Sequence, residues 1–238
     1  EAHHRLMRYC AEKKIEFLST AFDSESLKFL VDDLKLQKLK IPSGEITNAP
    51  FILEHARTGC DLIVSTGMSD LTDIESALGV IAFGYTMDDT TEPSIEAFKQ
   101  AYSSKEGREA LKCKVTLLHC TSEYPAPLNE VNLRVMDTLA HAFGLETGYS
   151  DHTAGVAIPI AAVARGATLI EKHFTLDRKM KGPDHKASLE PEELASMVAG
   201  IRAVEAALGS AIKTPTVSEL KNRNVARKSL VAAQDISE

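Results

Sequence analysis

Several features that would identify a function directly are absent from this 238-residue sequence. Neither a GxGxxG nor a Walker A glycine loop occurs, which argues against a nucleotide-binding fold. No apolar run approaches the roughly 20 residues that cross a bilayer, and no signal-peptide pattern opens the chain. Tryptophan is missing as well, an absence that says nothing about function. The sequence therefore predicts no contact with a membrane.

Positive charge and paired cysteines are also scarce. The 27 lysines and arginines are outnumbered by 34 aspartates and glutamates, which gives a formal net charge of −7. This balance argues against a nucleic-acid partner or a polybasic membrane anchor, and an anionic substrate would need local lysines and serines. The four cysteines form no CxxC pair, so we expect reduced thiols and a cytoplasmic location.

The chain does contain a regular alternation of strand-like and helix-like segments. Gly59, Gly144 and Gly166 each fall where a helix should end before the next strand. Strand, polar turn, helix and glycine in this order are typical of βα units and imply a parallel sheet. We predict strands at residues 15–22, 39–44, 61–67, 114–121, 147–152 and 168–174, and helices at 3–14, 24–36, 49–58, 71–83, 129–143, 155–165 and 191–208.

Two architectures fit six strands in a chain that begins inside a helix. One is a TIM (β/α)₈ barrel that lacks its first strands, and the other is an open doubly wound sheet. Polar residues end every predicted strand. A barrel gathers all its strand ends around one mouth, whereas an open sheet uses mainly those at its switch point. The α/β barrel is therefore the predicted fold.

Two segments interrupt the alternation. Residues 84–112 are predicted to be an exposed insertion whose acidic loop at 87–93 is a solvated surface, with a lid or an oligomer contact as the alternative. After the barrel part at residues 1–208, a linker is predicted at 209–227. Residues 228–238 would begin a further domain with a strand near Lys228, so we expect the sequence to be a piece of a longer polypeptide.

Two histidines form the most informative pattern. His152 and His173 lie 21 residues apart, each at the end of a predicted strand with a helix between them. Consecutive parallel strands would present both imidazoles at one end of the sheet. Neutral imidazole suits Mn²⁺, Zn²⁺ or Fe²⁺, and two such ligands leave positions for water and substrate oxygens. The pattern favours a metal-dependent enzyme over a binding module, and two packed, hydrogen-bonded histidines are the alternative.

Lys40 and the residues after it indicate an anion site. Lys40 lies inside a strand-like run that is followed by Pro42, Ser43, Gly44 and Glu45. A lysine that points into a barrel is costly unless it meets an anion. Ser43 and Gly44 could add hydroxyl and backbone donors to that anion, and Glu45 is placed to act on water or a hydroxyl. An outward-facing lysine and a solvated glutamate are the alternatives.

Six segments of the sequence, in matching order, resemble the sialic acid synthase family, which makes nonulosonic acids such as N-acetylneuraminate. They are KIPSGE at 40–45, STGM at 65–68, HCTSEYPAP at 119–127, GYSDHT at 148–153, EKHFT at 171–175 and GPD at 182–184. The resemblance runs from about Ile15 to Asp184. Residues 229–238 resemble the lead-in to that family's C-terminal antifreeze-like (SAF) domain.

The resemblance implies a TIM barrel that condenses phosphoenolpyruvate with an N-acetylated hexose aldehyde, here expected to be N-acetylmannosamine, and releases phosphate by C–O cleavage. It implies Mn²⁺, with Mg²⁺ or Co²⁺ as alternatives, and a homodimer with exchanged C-terminal domains. His152 and His173 would be the metal ligands. The residues implied to contact phosphoenolpyruvate are Thr20, Lys40, Ser43, Ser65 and Ser122. Sugar contacts are implied for Tyr124 and Asp184, and Ser150 is a further substrate contact. The implied catalytic residues are Lys40, Asp184 and Glu45, of which Glu45 has an acid/base role.

Other functions stay open at this point. Ser122 stands where many N-acetylneuraminate synthases have asparagine, so the acceptor could instead be N-acetylmannosamine 6-phosphate, a di-acetamido sugar that leads to legionaminic or pseudaminic acid, or the sugar of a spore-coat synthase. A metal-dependent pyruvate aldolase would use the same histidines but release no phosphate. A Schiff-base aldolase is less favoured, because Lys40 beside Ser43 suits an anion better than a desolvated amine. A non-enzymatic sugar-binding protein would be expected to have lost its metal ligands, which are present.

Overall fold

One parallel sheet organises the chain. The computed structural model describes residues 1–237, in which each of five strands pairs with the next in sequence order. Parallel strands need crossover connections, and at least one helix lies between every consecutive pair. The strands are β1 (Lys38–Ile41), β2 (Asp61–Ser65), β3 (Val115–Cys120), β4 (Glu146–Asp151) and β5 (Ile170–Lys172).

Ten α-helices accompany the sheet within the described residues. α2 continues directly into a π-helical turn at Phe29–Asp33. In the part of the chain that the structure describes, no helix has both the length and the apolar composition needed to cross a bilayer. The helices are α1 (Ala2–Glu12), α2 (Ser24–Lys28), α3 (Ala49–Arg57), α4 (Leu71–Thr86), α5 (Ile95–Ser103), α6 (Lys105–Lys114), α7 (Val135–Phe143), α8 (Ala157–Ala164), α9 (Pro191–Leu208) and α10 (Val217–Ala226).

Side-chain caps begin several of these helices, and those of α2 and α4 follow signals in the sequence. Asp23 accepts a hydrogen bond from the Ser26 amide at 2.7 Å. Asp70 accepts from the amides of Thr72 and Asp73 at 2.8 and 3.0 Å and forms a capping box with Asp73. These caps satisfy amides that the first helical turn leaves without partners. Both helix starts were predicted from the sequence and are confirmed.

Five of the six predicted strands are confirmed, and the strand predicted at residues 15–22 is wrong. That segment lies beside β1, where Glu16 pairs with Lys38 at 3.1 Å, and it contributes Phe17 and Ala21 to the core. A strand also needs a ladder of backbone hydrogen bonds. In the described structure no backbone hydrogen bond joins residues 16–22 to β1. The apolar residues of this segment therefore indicate burial, but they do not indicate a strand.

The hydrophobic core lies between the sheet and its helices. Leu39, Leu62 and Leu117 belong to it from successive strands and are at most 1% exposed. Ile52 on α3 and Ile81 on α4 belong to the same core from the helical side. Because successive side chains of a strand point to opposite faces, the residues between these core positions face the other side of the sheet.

Residues 84–112 are only partly the exposed insertion that the sequence predicts. The acidic loop at 87–93 is largely exposed, as expected. The two helices that follow pack against α4: Phe98 meets Phe83 with ring centroids 5.2 Å apart, and Ala101 and Leu111 are 0% and 2% exposed. The prediction of exposure is wrong for α5 and α6 because a narrow apolar stripe suffices to bury one side of a highly charged helix.

The end of the chain is the least packed part of the structure. α10 lies inside the predicted linker at 209–227, and its described side chains are exposed. No strand is assigned within residues 228–237, so the strand expected near Lys228 is not found there. The division into a barrel part, a linker and the start of a further domain stays a prediction.

His55 on α3 gives the fold a testable pH dependence. Its ring is 1% exposed, Nδ1 lies 2.9 Å from the Phe51 carbonyl oxygen, and Nε2 has no partner among the described residues. Burial lowers the pKa of His55, more than that hydrogen bond and the charges of Glu54 and Glu45 raise it. The unfolded state, with a pKa of about 6.5, then binds more protons as the pH falls, so stability is lost below about pH 6.5.

We expect the free energy of unfolding to fall between pH 7.5 and 5.5, and to fall less in His55→Leu. One such histidine accounts for at most about 1.4 kcal/mol per pH unit. Thermal denaturation across this range measures the difference, and His141→Leu, which removes an exposed histidine, serves as the control. Equal slopes for the unmodified protein and His55→Leu would show that His55 does not contribute.

Candidate active site

Polar side chains gather on the inner face of the sheet, which is the face opposite the helices. Lys40, Ser65 and Ser150 project onto it from β1, β2 and β4 and are 7%, 3% and 2% exposed. Glu171 joins them from β5. All four lie at or near the carboxyl ends of their strands, where parallel β/α proteins place their functional groups.

An ion pair crosses the inner face from the first strand to the last. Lys40 Nζ lies 2.8 and 2.6 Å from the two carboxylate oxygens of Glu171, although three other strands separate β1 from β5. This contact requires a sheet that is curled onto itself, as parallel sheets are in barrels. Lys40 thus points inward and meets an anion, and that anion is Glu171.

The surroundings of Glu171 keep it ionised. Burial acts to raise its pKa, but the charge of Lys40 and the hydrogen bonds from Lys40 and Ser150 outweigh burial and lower the pKa below its ordinary value. Ser150 Oγ donates to Oε1 of Glu171 at 2.7 Å. At neutral pH, Glu171 is therefore a carboxylate that accepts hydrogen bonds beside a buried cation.

Three polar side chains surround Gly67 and form what we call the hydroxyl pocket, made of Ser43, Cys120 and Ser122. The Gly67 amide donates to Ser43 Oγ at 3.0 Å, and Ser43 Oγ lies 3.1 Å from Cys120 Sγ. A methyl group at Gly67 would lie 2.3 Å from Ser122 Oγ and 2.8 Å from both Ser43 Oγ and Cys120 Sγ. The absence of a side chain at Gly67 therefore keeps these donors around one open space.

The Ser65 hydroxyl is a candidate ligand contact. Its hydroxyl is buried and has no hydrogen-bond partner among residues 1–237. A buried polar atom without a partner is rare because leaving it unpaired costs about 1–3 kcal/mol. An oxygen-rich ligand on the inner face would satisfy it.

The two histidines lie side by side at the ends of β4 and β5. Their ring centroids are 5.5 Å apart at an interplanar angle of 72°. His152 is 7% exposed, and its Nδ1 lies 2.7 Å from the Thr121 carbonyl oxygen. Burial lowers the pKa of His152, and the hydrogen bond to Thr121 only partly offsets this effect. A neutral imidazole results, as metal binding requires.

The donor set of this pair fits a divalent cation. Because the Thr121 carbonyl can only accept, we assign the proton of His152 to Nδ1, which leaves the lone pair of Nε2 directed into the site. Within residues 1–237 no group of three or more His, Cys, Asp or Glu side chains is arranged for a metal. Two imidazole ligands leave positions on a divalent cation open for substrate or water oxygens.

Tyr124 covers both imidazoles. Its ring centroid lies 4.2 Å from that of His152 and 5.3 Å from that of His173, and the residue is 47% exposed. Burial raises the pKa of the Tyr124 phenol, and nearby Cys120 and Asp184 raise it further. The phenol therefore stays protonated and can donate a hydrogen bond to a ligand at the histidines.

The remaining predicted site residues stand apart from this cluster. Thr20 lies within the segment 15–22, which forms no strand, and no side-chain hydrogen bond joins it to the inner face in the described structure. Glu45 lies in a 3₁₀ turn, where its carboxylate accepts a hydrogen bond from Nδ2 of the Asn48 side chain at 2.8 Å. Asp184 is exposed in the loop after β5, and its negative charge lies close enough to raise the pKa of the Tyr124 phenol.

Sequence reasoning missed Glu171 as a member of the site. The signal was present, since Glu171 lies two residues before His173 on the same strand and alternation places both on one face. The prediction considered the last polar residue of the segment, His173, and not Glu171 before it. Gly67 was missed for a different reason, because a sequence does not show which side chains surround a glycine.

Comparison with known proteins agrees with this geometry. The model of the NeuB family matches residues 1–213. The chain is 49% identical over 236 residues to an N,N'-diacetyllegionaminic acid synthase of Campylobacter jejuni and 43% identical over 236 residues to one of Legionella pneumophila. These alignments cover 99% of the chain but 63% and 60% of the relatives, so the chain spans about three fifths of the length of these relatives.

A solved structure shows the same likeness in three dimensions. The N-acetylneuraminic acid synthetase of Leptospira borgpetersenii, crystallised with citrate, is 32% identical to the chain, with a TM-score of 0.73. The match covers 94% of this chain and 70% of that one. The curled parallel β/α sheet and the resemblance to sialic acid synthases predicted from sequence are thus confirmed. The chain belongs to the NeuB family.

Proposed function

We propose that the protein is a nonulosonic acid synthase, which condenses phosphoenolpyruvate with an N-acetylated amino sugar and water and releases phosphate. The observation that carries this proposal is a buried lysine among serine hydroxyls, next to two histidines, in a chain of the NeuB family. The proposal includes a complete TIM barrel, of which the five strands are a part. It also includes a cytoplasmic homodimer with exchanged C-terminal antifreeze-like domains.

Phosphoenolpyruvate fits the donors of the inner face. It is an anion rich in oxygen acceptors, and the protein offers the ammonium group of Lys40 with the hydroxyls of Ser43, Ser65 and Ser122. The unpartnered Ser65 hydroxyl would gain an acceptor. Because the net charge of the protein is −7, these local donors, and not the overall field, would attract the ligand.

The reaction requires C3 of phosphoenolpyruvate to face the aldehyde carbon of the open-chain sugar. Lys40 and the hydroxyl pocket would hold phosphoenolpyruvate in that orientation, and Tyr124 would hold the sugar. A bond forms between C3 and the aldehyde carbon, water adds at C2, and the resulting tetrahedral intermediate breaks its C2–O bond to release phosphate. Glu45, to which the resemblance gives the acid/base role, would take the proton of that water. Glu171 also lies on the inner face, but its pairing with Lys40 lowers its pKa and makes it a weaker base than an ordinary glutamate.

His152 and His173 would hold a divalent metal, with Mn²⁺ expected and Mg²⁺ or Co²⁺ as alternatives. A metal bound there would supply Lewis-acid polarisation of the sugar aldehyde oxygen. The protein's own contribution is to fix the imidazole of His152 through the Thr121 carbonyl and to shield both rings with Tyr124. Asp184, in the exposed loop, would contact the sugar.

The resemblance and the named relatives favour different acceptor sugars. The resemblance alone favours N-acetylmannosamine. The two relatives at 49% and 43% identity carry the name of N,N'-diacetyllegionaminic acid synthases, which favours a di-acetamido sugar. Ser122, which stands where many N-acetylneuraminate synthases have asparagine, is part of the hydroxyl pocket.

Phosphate release by the full-length protein tests the proposal. With phosphoenolpyruvate and Mn²⁺, we expect phosphate only when one of N-acetylmannosamine, its 6-phosphate or a di-acetamido hexose is added, and none after chelation or in His152→Ala. When the bridging oxygen of phosphoenolpyruvate carries ¹⁸O, the label should leave in phosphate. A folded protein that consumes pyruvate and releases no phosphate would instead be an aldolase.

A further inference from the structure

A second ion pair lies on the other face of the sheet, directly behind the two histidines. Asp151 ends β4 and Lys172 ends β5, and the two residues are paired in the strand register. Lys172 Nζ lies 2.5 Å from Asp151 Oδ2. The next residue after each partner is a histidine of the candidate metal centre. The proposed chemistry uses neither Asp151 nor Lys172.

This pair is sealed from solvent. The side chains of Lys172 and Asp151 are 3% and 0% exposed. Lys172 Nζ also donates to the Thr153 carbonyl, and Asp151 Oδ1 accepts from the Thr153 amide and hydroxyl at 3.0 and 2.8 Å. The cluster therefore ties β5 to the two residues on either side of His152 in the chain.

His152 and His173 depend on this cluster to different extents. The His152 ring is held by the Thr121 carbonyl, and its own carbonyl accepts from the Ala126 amide at 2.9 Å. The His173 ring makes no hydrogen bond within the described part of the chain, and only its carbonyl is held, by the Leu189 amide at 2.9 Å. β5 itself is three residues long. The backbone of His173 is therefore positioned by Lys172 on one side and by the pairing with Leu189 on the other, and no hydrogen bond within the described residues orients its ring.

We propose that Asp151 and Lys172 are positioning residues, which hold the ends of β4 and β5 in the register that lets His152 and His173 bind one cation. This inference rests on the metal centre of the proposed function. Neither residue touches the cation or the substrate. Their hydrogen bonds fix the distance between the two strand ends.

A purely stabilising role explains the pair less well. Two buried charges cost desolvation energy, and apolar residues of similar volume often stabilise a core at least as well. What an ion pair adds is direction, because its hydrogen bonds are made at one separation and one orientation of the strands. A function that needs two imidazoles at a set spacing gains from this constraint.

The test compares Mn²⁺ affinity with thermal stability in the full-length protein without substrate. In Asp151→Asn/Lys172→Met both charges are removed, while the asparagine oxygen can still accept from Thr153. We expect Mn²⁺ to bind at least tenfold more weakly, as measured by electron paramagnetic resonance of the free ion, with a cooperative melt retained. Asp137→Asn/Arg165→Met removes a similar pair between α7 and the residue after α8, and it should bind Mn²⁺ like the unmodified protein.

Each outcome decides the question. Unchanged Mn²⁺ affinity in Asp151→Asn/Lys172→Met would overturn the inference and leave the proposed function intact. If that variant does not fold, the apolar pair Asp151→Leu/Lys172→Met is measured instead, because it leaves no buried charge without a partner, and the same tenfold criterion applies. If the unmodified protein binds neither Mn²⁺ nor Co²⁺, the metal centre of the proposed function fails and this inference fails with it. Phosphate release, assayed separately, distinguishes the two cases.

Discussion

Replacement of Lys40 by methionine is expected to lower kcat/KM for phosphoenolpyruvate by roughly 10³-fold. Lys40 is the buried cation of the inner face, 7% exposed, and methionine matches its length without its charge. Removal of one preorganised donor to a charged reacting group costs about 3–4 kcal/mol in enzymes of other folds. Phosphate release at varied phosphoenolpyruvate concentration measures the loss.

Lys38→Met is the matched control for this prediction. Lys38 lies on the same strand two residues earlier, but its side chain is 36% exposed and pairs with Glu16 at the surface. Surface pairs of this kind contribute little to stability, so Lys38→Met should retain the activity of the unmodified protein. Lys40→Met with unchanged kcat/KM would exclude Lys40 from phosphoenolpyruvate binding, even if the protein is an active synthase.

Stability should change much less than activity in Lys40→Met. Glu171 loses its cation but keeps the hydrogen bond from Ser150, and 39% of its side chain is exposed. Water can therefore solvate the carboxylate that remains. The variant then avoids the large loss of folding free energy that an unpaired and fully buried charge would cause. A cooperative melt for the variant would show that lost activity reflects the site and not the fold.

The repeated βα pattern made most of the fold predictable from sequence. Strand periodicity, the Asp70 cap, and the glycines before β2, β4 and β5 are local signals, and the structure confirms the elements that they predict. The segment at 15–22 failed because strand formation depends on a paired neighbour, which a local pattern does not show. The charged residues of 95–114 predict exposed helices, but Ala101 and Leu111 are buried because α5 and α6 pack against α4.

The site was predictable where it depends on strand ends and unpredictable where it depends on contacts across the sheet. His152 and His173 come together because consecutive strands end together. The partner of Lys40 lies on a strand 131 residues later, and only the curl of the sheet brings the two together. The Asp151–Lys172 pair joins neighbouring strands, but its burial depends on the layers that pack over it, which a local sequence pattern does not show.

Substitution of Gly67 by alanine should raise KM for phosphoenolpyruvate by roughly 10²-fold while the protein stays folded. The added methyl group would lie 2.3 Å from Ser122 Oγ and 2.8 Å from Ser43 Oγ. Both serine hydroxyls can rotate away, so the fold tolerates the methyl group, but the donors then leave the hydroxyl pocket. Two hydrogen bonds to a charged ligand at about 1.5 kcal/mol each, the lower end of the usual range, sum to about 3 kcal/mol, which corresponds to the expected loss.

Gly44→Ala controls for the loss of a glycine next to Ser43. No atom lies within 4 Å of a methyl group at Gly44, and neither Gly44 nor Gly67 is among the glycines with a positive φ. Gly44→Ala should therefore leave KM unchanged, and Mn²⁺ affinity should be unchanged in both variants because neither glycine contacts the histidines. Steady-state kinetics and Mn²⁺ titration separate the two effects. If Gly67→Ala weakened Mn²⁺ binding but not phosphoenolpyruvate binding, the anion would lie nearer the histidines than the hydroxyl pocket.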